Sequence, residues 1–418
     1  MYMSKFPIIA LSFLLFFHLS STAFAQDNTT FPDNADTPAA NGLTDLKMNA
    51  EKAEKADNPI SNTFKAGSLE DVRNAIKMGA DLNQVDGPDG MTPLMLASAF
   101  NQNAAIVELL IEHGAMVNAQ ENRFGLTALM LASALNSPTA VDILIKNGAE
   151  INMRDNNGGT ALYHAAANRH NAAVVAVLTS SGANASLADN QGRTPMMVAA
   201  VNSNIPALKA LIMLKSDLQA VDKEGRTALI IGASENRNPT VVETLIEAGS
   251  TLETRDNSGR TAFLAAAERN PDPRILAALQ KAGADVKAVD QHGADALILA
   301  SLSNPSPEII DWLLSAGLDI NAKRPSGLSP LLAAAGNPSV KVARTLIISG
   351  ADVQVKGKSG YSPLMLATYL NSNVEVAKII FTGGGDPEEK DEAGHSPLSF
   401  AQKNRKDLAE FFEKRGQL

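Results

Sequence analysis

Chemistry begins with titratable and nucleophilic side chains, and in this chain six histidines are the first to place. His164 and His170 stand six residues apart, poor spacing for two ligands on one helix face, and His18, His113, His292 and His395 are scattered along the chain. No metal site is expected from them. The chain has no cysteine, which removes thiolate metal ligands, disulfides and cysteine nucleophiles together. Neither the G-x-S-x-G elbow of a hydrolase nor the G-x-x-x-x-G-K-[ST] phosphate loop occurs. The stretch TGGGD from Thr382 to Asp386 looks like a phosphate cradle, but it falls where other copies of a repeated unit carry a helix-capping glycine. Glu388 and Glu389 belong to a turn, with no partner in view that would raise one pKa. No catalytic residue and no cofactor is expected.

What does recur is structural. From Gly90 onward one phrase returns ten times, among them GMTPLMLA, GLTALMLA, GRTALIIG, GLSPLLAA and GHSPLSFA. Its third residues are Thr92, Thr127, Thr160, Thr194, Thr227, Thr261, Asp295, Ser329, Ser362 and Ser396, 33 to 35 residues apart. A fixed period of that length marks a repeat architecture. Thr, Ser and Asp accept a hydrogen bond from an exposed N–H in a helix's first turn, and Pro or Ala, which follows each, suits the first helical position. A helix therefore starts at each phrase.

About twenty residues later comes a second helical pattern, as in IVELLIEHGAMVN, ending at Gly79, Gly114, Gly148, Gly182, Gly249, Gly283, Gly317, Gly350 or Gly384 in a left-handed cap. Lys215 is the exception at this position. A short extended stretch and a turn then lead to the next start. Between the two helices sits Asn101, Asn136, Asn168, Asn202, Asn236, Asn270, Asn304, Asn337, Asn371 or Asn404. Asparagine tolerates the left-handed conformation better than other residues with a Cβ, so each is expected to end the first helix that way.

These starts and caps, with GADLN, GAEIN, GADVK and GLDIN after the glycines, resemble the ankyrin repeat family over roughly residues 60–418. The family's usual His after Thr-Pro-Leu is replaced by Met95, Met130, Tyr163, Met197, Ile230, Leu264, Ile298, Leu332, Met365 and Ser399, and its usual Gly-His by the asparagine. The resemblance implies an all-α, right-stacked solenoid of helix-loop-helix-turn units. It has about ten full repeats, a degenerate N-terminal one that keeps its second helix, and a closing one with a charged outer helix.

The resemblance also implies a monomer without enzymatic activity that binds protein through a concave surface of first helices and turn tips. On the helices the candidate binding residues are Phe100, Leu135, Glu235, Glu268, Arg269, Tyr369 and Leu370. On the tips they are Arg154, Arg255, Lys323, Arg324, Lys356, Lys358 and Lys390. A competing reading has Phe100, Leu135 and Leu370 folded back over the second helix and the tip charges merely solvated; the functional one gives the tips an acidic partner.

Ahead of the array, Lys5 leads into FPIIALSFLLFFHL and SSTAFA, the regions of a secretory signal, with cleavage expected after Ala25. Its apolar stretch, about fourteen residues, is short of the roughly twenty that span a membrane. Residues 26–59 are polar and are read as a flexible linker before the array of residues 60–418. The formal charge of −9, or −10 once Lys5 leaves, argues against nucleic acid and anionic membranes as partners. Export and the lack of cysteine point to the periplasm or the medium. The expected function is an envelope scaffold for another exported protein, with a stress-defence enzyme as one such partner by analogy with exported bacterial ankyrin proteins. A host-directed secreted effector and a hydrolase with an unrecognised groove site are the alternatives.

Overall fold

The computed structural model describes residues 59–85, 90–135, 138–168, 172–325 and 327–415, all within one compact unit. The signal, linker residues 26–58, Asn136 and His170 lie outside the described residues. No helix among those described is long and apolar enough to cross a membrane.

Among the described residues twenty-two α-helices form eleven pairs, from Pro59–Ala66 with Leu69–Lys77 to Pro397–Asn404 with Lys406–Arg415. The N-terminal unit therefore has a first helix as well as the expected second, with Phe64 buried in it. All ten expected starts are capped. The side-chain oxygens of Thr92 through Ser396 accept the N–H three residues on, at 3.0–3.4 Å. The nine capping glycines have φ between 85 and 108°, and Lys215 adopts φ 56° in their place. Of the extended stretches expected after the caps, one isolated antiparallel bridge, Val289 to Asp295, exists among the described residues.

The first helices of the inner repeats are buried along most of their length: each residue from Pro93 to Ala99 is, and each from Ala128 to Ala134. An all-apolar helix must be surrounded. Each packs against the first helices of adjoining repeats and against its own second helix. Second helices bury one stripe, such as Ile106, Val107, Leu109 and Leu110. A fully buried Leu or Ile contributes about 1.5–3 kcal/mol, and each stripe is closed only by its neighbours, so stability is spread along the array.

The asparagines correct the expectation drawn from sequence. Asn101, Asn236, Asn270, Asn304 and Asn371 have φ between −110 and −78° and ψ between 123 and 132°, extended rather than left-handed. Their side chains explain why. Asn270 Nδ2 donates to Ala233 O at 2.8 Å and Asn236 O at 2.7 Å, and Asn304 repeats this on Ala267 O and Asn270 O at 2.9 Å. Asn337 and Asn371 continue the series, and Asn101 opens it on Phe64 O and Gly67 O. Each asparagine thus satisfies carbonyls left over at the end of the preceding first helix, while its Oδ1 accepts the N–H two residues on. The result is a buried ladder across repeats.

Two members differ. Asn202 turns back to Val198 O of its own helix, and Asn204 takes the rung on Ala166 O and Asn168 O, with Ser203 between them at φ 55°. Asn404 lies within the last first helix and bonds Phe400 O, so the ladder stops before it.

Candidate protein-binding face

Behind the ladder the copies are alike; in front of it they are not. The residue before each asparagine reads Phe100, Leu135, Ala167, Val201, Glu235, Arg269, Ser303, Gly336 and Leu370, and every one is at least partly exposed. Phe100 and Leu135 are half-buried against the core, so they lie between the two readings offered for them, whereas Leu370 is exposed. Tyr369 packs its ring on Phe400, 4.4 Å between centroids, and edge-on to Tyr361 at 6.5 Å. Burial, then Asp391, pushes the Tyr369 hydroxyl well above the usual phenol range.

The charges in the middle of the face are engaged within their own repeats. Arg226 reaches Glu235 and Asp222 at 2.8 Å each. Arg260 likewise joins Glu268 to Asp256, and Arg269 stands 3.8 Å from Glu268. Burial alone would make these guanidiniums easier to deprotonate, but Glu235 beside Arg226 and Glu268 beside Arg260 outweigh it and raise both. Arg193 and Asp189 form a third such unit at 2.7 Å. Burial pushes the Asp189 carboxyl up, yet hydrogen bonds from Tyr163 and Arg193 hold it below the usual carboxylate range. The sequence reading passed over Arg193, Arg226 and Arg260, although the signal was there: D-x-x-x-R-T occurs at Asp189, Asp222 and Asp256.

The basic tips divide into two kinds. Arg154 donates to Ala188 O of the next repeat, and Arg255 to Gly259 O and Val289 O, at 2.6 Å each. Arg324 pairs with Asp295 of the preceding repeat, and burial lowers its pKa. These three tie repeats together. Lys356 reaches Glu389 at 2.7 Å, while Lys323, Lys358 and Lys390 are exposed.

Among the described residues one buried histidine meets a carboxylate. His164 Nε2 lies 2.7 Å from Asp155 Oδ2, and the neighbouring Tyr163 hydroxyl donates to Asp189 at 2.7 Å. All four side chains are buried, and they brace two successive loops on one first helix. Spacing along the chain could not reveal this, because both partners come from loops.

The family model described as ankyrin repeats (3 copies) matches in six overlapping windows that together run from residue 62 to residue 391. Among solved structures, the crystal structure of the human ASB11 ankyrin repeat domain is similar, at 23% identity and a TM-score of 0.49 over 55% of this chain and 99% of that one. No curated protein matches the sequence.

Proposed function

The chain belongs to the ankyrin repeat family, whose arrays bind other proteins, and from that premise we propose that it is an envelope scaffold holding another exported protein. The ends of the first helices and the loop tips form the binding face. One observation carries the reading: the ten copies agree in what they bury and differ in what they present. Capping residues, ladder asparagines and core alanines recur, whereas the position before the asparagine passes from Phe100 through Glu235 and Arg269 to Leu370. A stack that only had to stand would gain nothing from such variety, while a surface selective for one partner requires it.

Export is supported by the n-, h- and c-regions up to Ala25, and fractionation with N-terminal sequencing tests it. A mature chain beginning at Gln26 in the periplasm or medium is the expected result; retention of Met1 or Met3 would return the segment to an anchor. Binding is tested by capture from envelope extract with the mature chain and with Glu235→Lys, Arg269→Glu, Leu370→Asp as bait. The parent should retain a discrete protein that the folded triple variant loses. Equal capture by both would remove the face from the account.

A further inference from the structure

Departures from the repeat gather in one place. Among the described residues two other than glycine have positive φ, Ser203 at 55° and Lys215 at 56°, and both belong to the repeat of residues 194–226. In that repeat the buried rung has moved from Asn202 to Asn204. The residue after the cap is alanine at Ala80, Ala115, Ala149, Ala183, Ala284 and Ala351, whereas in this repeat and the next it is Ser216 and Ser250. Both hydroxyls are shut off from solvent, and neither has a hydrogen-bond partner among the described residues. Each is a polar group buried unsatisfied, which weakens the packing beneath the cap.

A second ladder breaks over the same stretch. Four residues beyond their caps, Asn83, Asn118, Asn152 and Asn321 each donate to the carbonyl of the next repeat's capping glycine at 3.0–3.4 Å and accept the N–H two residues past it at 2.8–2.9 Å. Gln354 still makes the first of these bonds, to Gly384 O. Between Asn152 and Asn321 the corresponding residues are Ser186, Gln219, Glu253 and Lys287. Glu253 keeps one half of the pair, accepting the Asp285 N–H at 2.9 Å, and Gln219 has instead one side-chain contact, from Thr254 at 3.3 Å. Across Ser186 and Gln219, on either side of the 194–226 repeat, neither backbone bond is made.

The other edges of that repeat stay joined to its neighbours. Asn236 Nδ2 donates to Ala200 O at 2.6 Å and Val201 O at 2.8 Å, and Asn204 Nδ2 to Asn168 O at 2.8 Å. At the loop tips Lys223 N–H donates to Gln191 O and Asn257 N–H to Glu224 O, at 2.9 Å each. In a stack whose units touch only their neighbours, bending concentrates where the bonds between neighbours are fewest. Here those missing bonds are all at the ends of the second helices.

We propose that the repeat of residues 194–226 is a joint. The second-helix ends spread and close there, with the asparagine rungs and the tip bonds as the pivot. The part of the face carrying Phe100 and Leu135 then swings relative to the part carrying Glu235, Arg269 and Leu370, and a partner bound across both parts selects the curvature.

The chain has no cysteine, so pairs of introduced cysteines can carry nitroxide labels without background. Lys77, Lys146, Ser180, Glu247, Ser315 and Thr382 are exposed, and each stands two residues before its cap. Pulsed double electron–electron resonance on the mature chain compares labels at Lys77 with Lys146, at Ser180 with Glu247, and at Ser315 with Thr382. Each pair spans two repeats, and the middle one crosses the joint. Its distance distribution should be about twice as wide as those of the other two. Ser186→Asn with Gln219→Asn, both at exposed positions, rebuilds the missing rungs and should narrow it to match them, and a melting temperature at or above the parent's shows that the variant is folded. Lys215→Gly with Ser216→Ala and Ser250→Ala tests the same joint through its packing and should narrow it as well. Equal widths for the three pairs in the parent, or a middle width that neither folded variant narrows, overturns the proposal.

Discussion

Asn304 separates a ladder from a simple helix stop. It is fully buried, its Nδ2 donates to Ala267 O and Asn270 O at 2.9 Å each, and its Oδ1 accepts the Ser306 N–H at 3.0 Å. Asn304→Ala removes three hydrogen bonds and leaves their backbone partners buried. At about 1 kcal/mol net per bond, with more for each group left unsatisfied, the expected loss is about 3–5 kcal/mol. Asn304→Gly loses the same bonds and adds roughly 0.5–1 kcal/mol of chain freedom in the unfolded state, so it should be no better than alanine. A left-handed helix stop would rank them the other way, with glycine neutral and alanine costing about 1–2 kcal/mol. Asn304 has φ −78° and ψ 129°, where glycine holds no advantage. Urea unfolding followed by far-ultraviolet circular dichroism gives the comparison from midpoints at unchanged slope. A glycine variant within about 0.5 kcal/mol of the parent would refute the ladder.

Lys215→Gly should raise stability by about 1–2 kcal/mol, because Lys215 is exposed and held at φ 56°; an unchanged or lower melting temperature would mean that the strain is relieved elsewhere. Arg154→Glu with Arg255→Glu should destabilise by about 1–2 kcal/mol through the lost bonds to Ala188 O and Val289 O, whereas Lys323→Glu with Lys358→Glu should stay within about 0.5 kcal/mol. Equal melting of the two pairs would show that the arginine contacts carry no stability. Asp189 has its pKa held below the ordinary value, so it stabilises the fold while ionised, fully above about pH 4, and the contribution disappears as pH falls through the depressed value. Tyr163→Phe removes one of the bonds that depress it, so the stability lost on acidification should be smaller and should level off at a higher pH; superimposable pH profiles would contradict this.

The repeat, its caps and its glycine stops were legible because each is a local rule. Thr92 and its nine counterparts need only the helix that follows them, and Gly79 to Gly384 need only the helix before. The asparagines were legible as a position but not as a role. Left-handed backbone and side-chain bridging both favour Asn, and the acceptors lie 33 to 39 residues away. Ser203 shows the limit most clearly: nothing local predicts that the rung moves from Asn202 to Asn204. The contacts of the tip arginines were not legible for a related reason, since acceptors such as Ala188 O, Val289 O and Asp295 belong to adjoining repeats. The Asp–Arg units were within reach of the sequence, because Asp189 and Arg193 are four apart on one loop and the triplet G-R-T repeats three times.

The central claim is that the face in front of the ladder, and not the second helices behind it, meets a partner. Site-specific photocrosslinking in the native envelope addresses it directly, with the reactive residue placed at Glu235, Arg269 or Leu370, and separately at the exposed second-helix positions Glu112, Glu247 or Lys281. The account predicts a discrete adduct of one common mass from the first set and none from the second. Adducts confined to the second set, or absent from both, would contradict it.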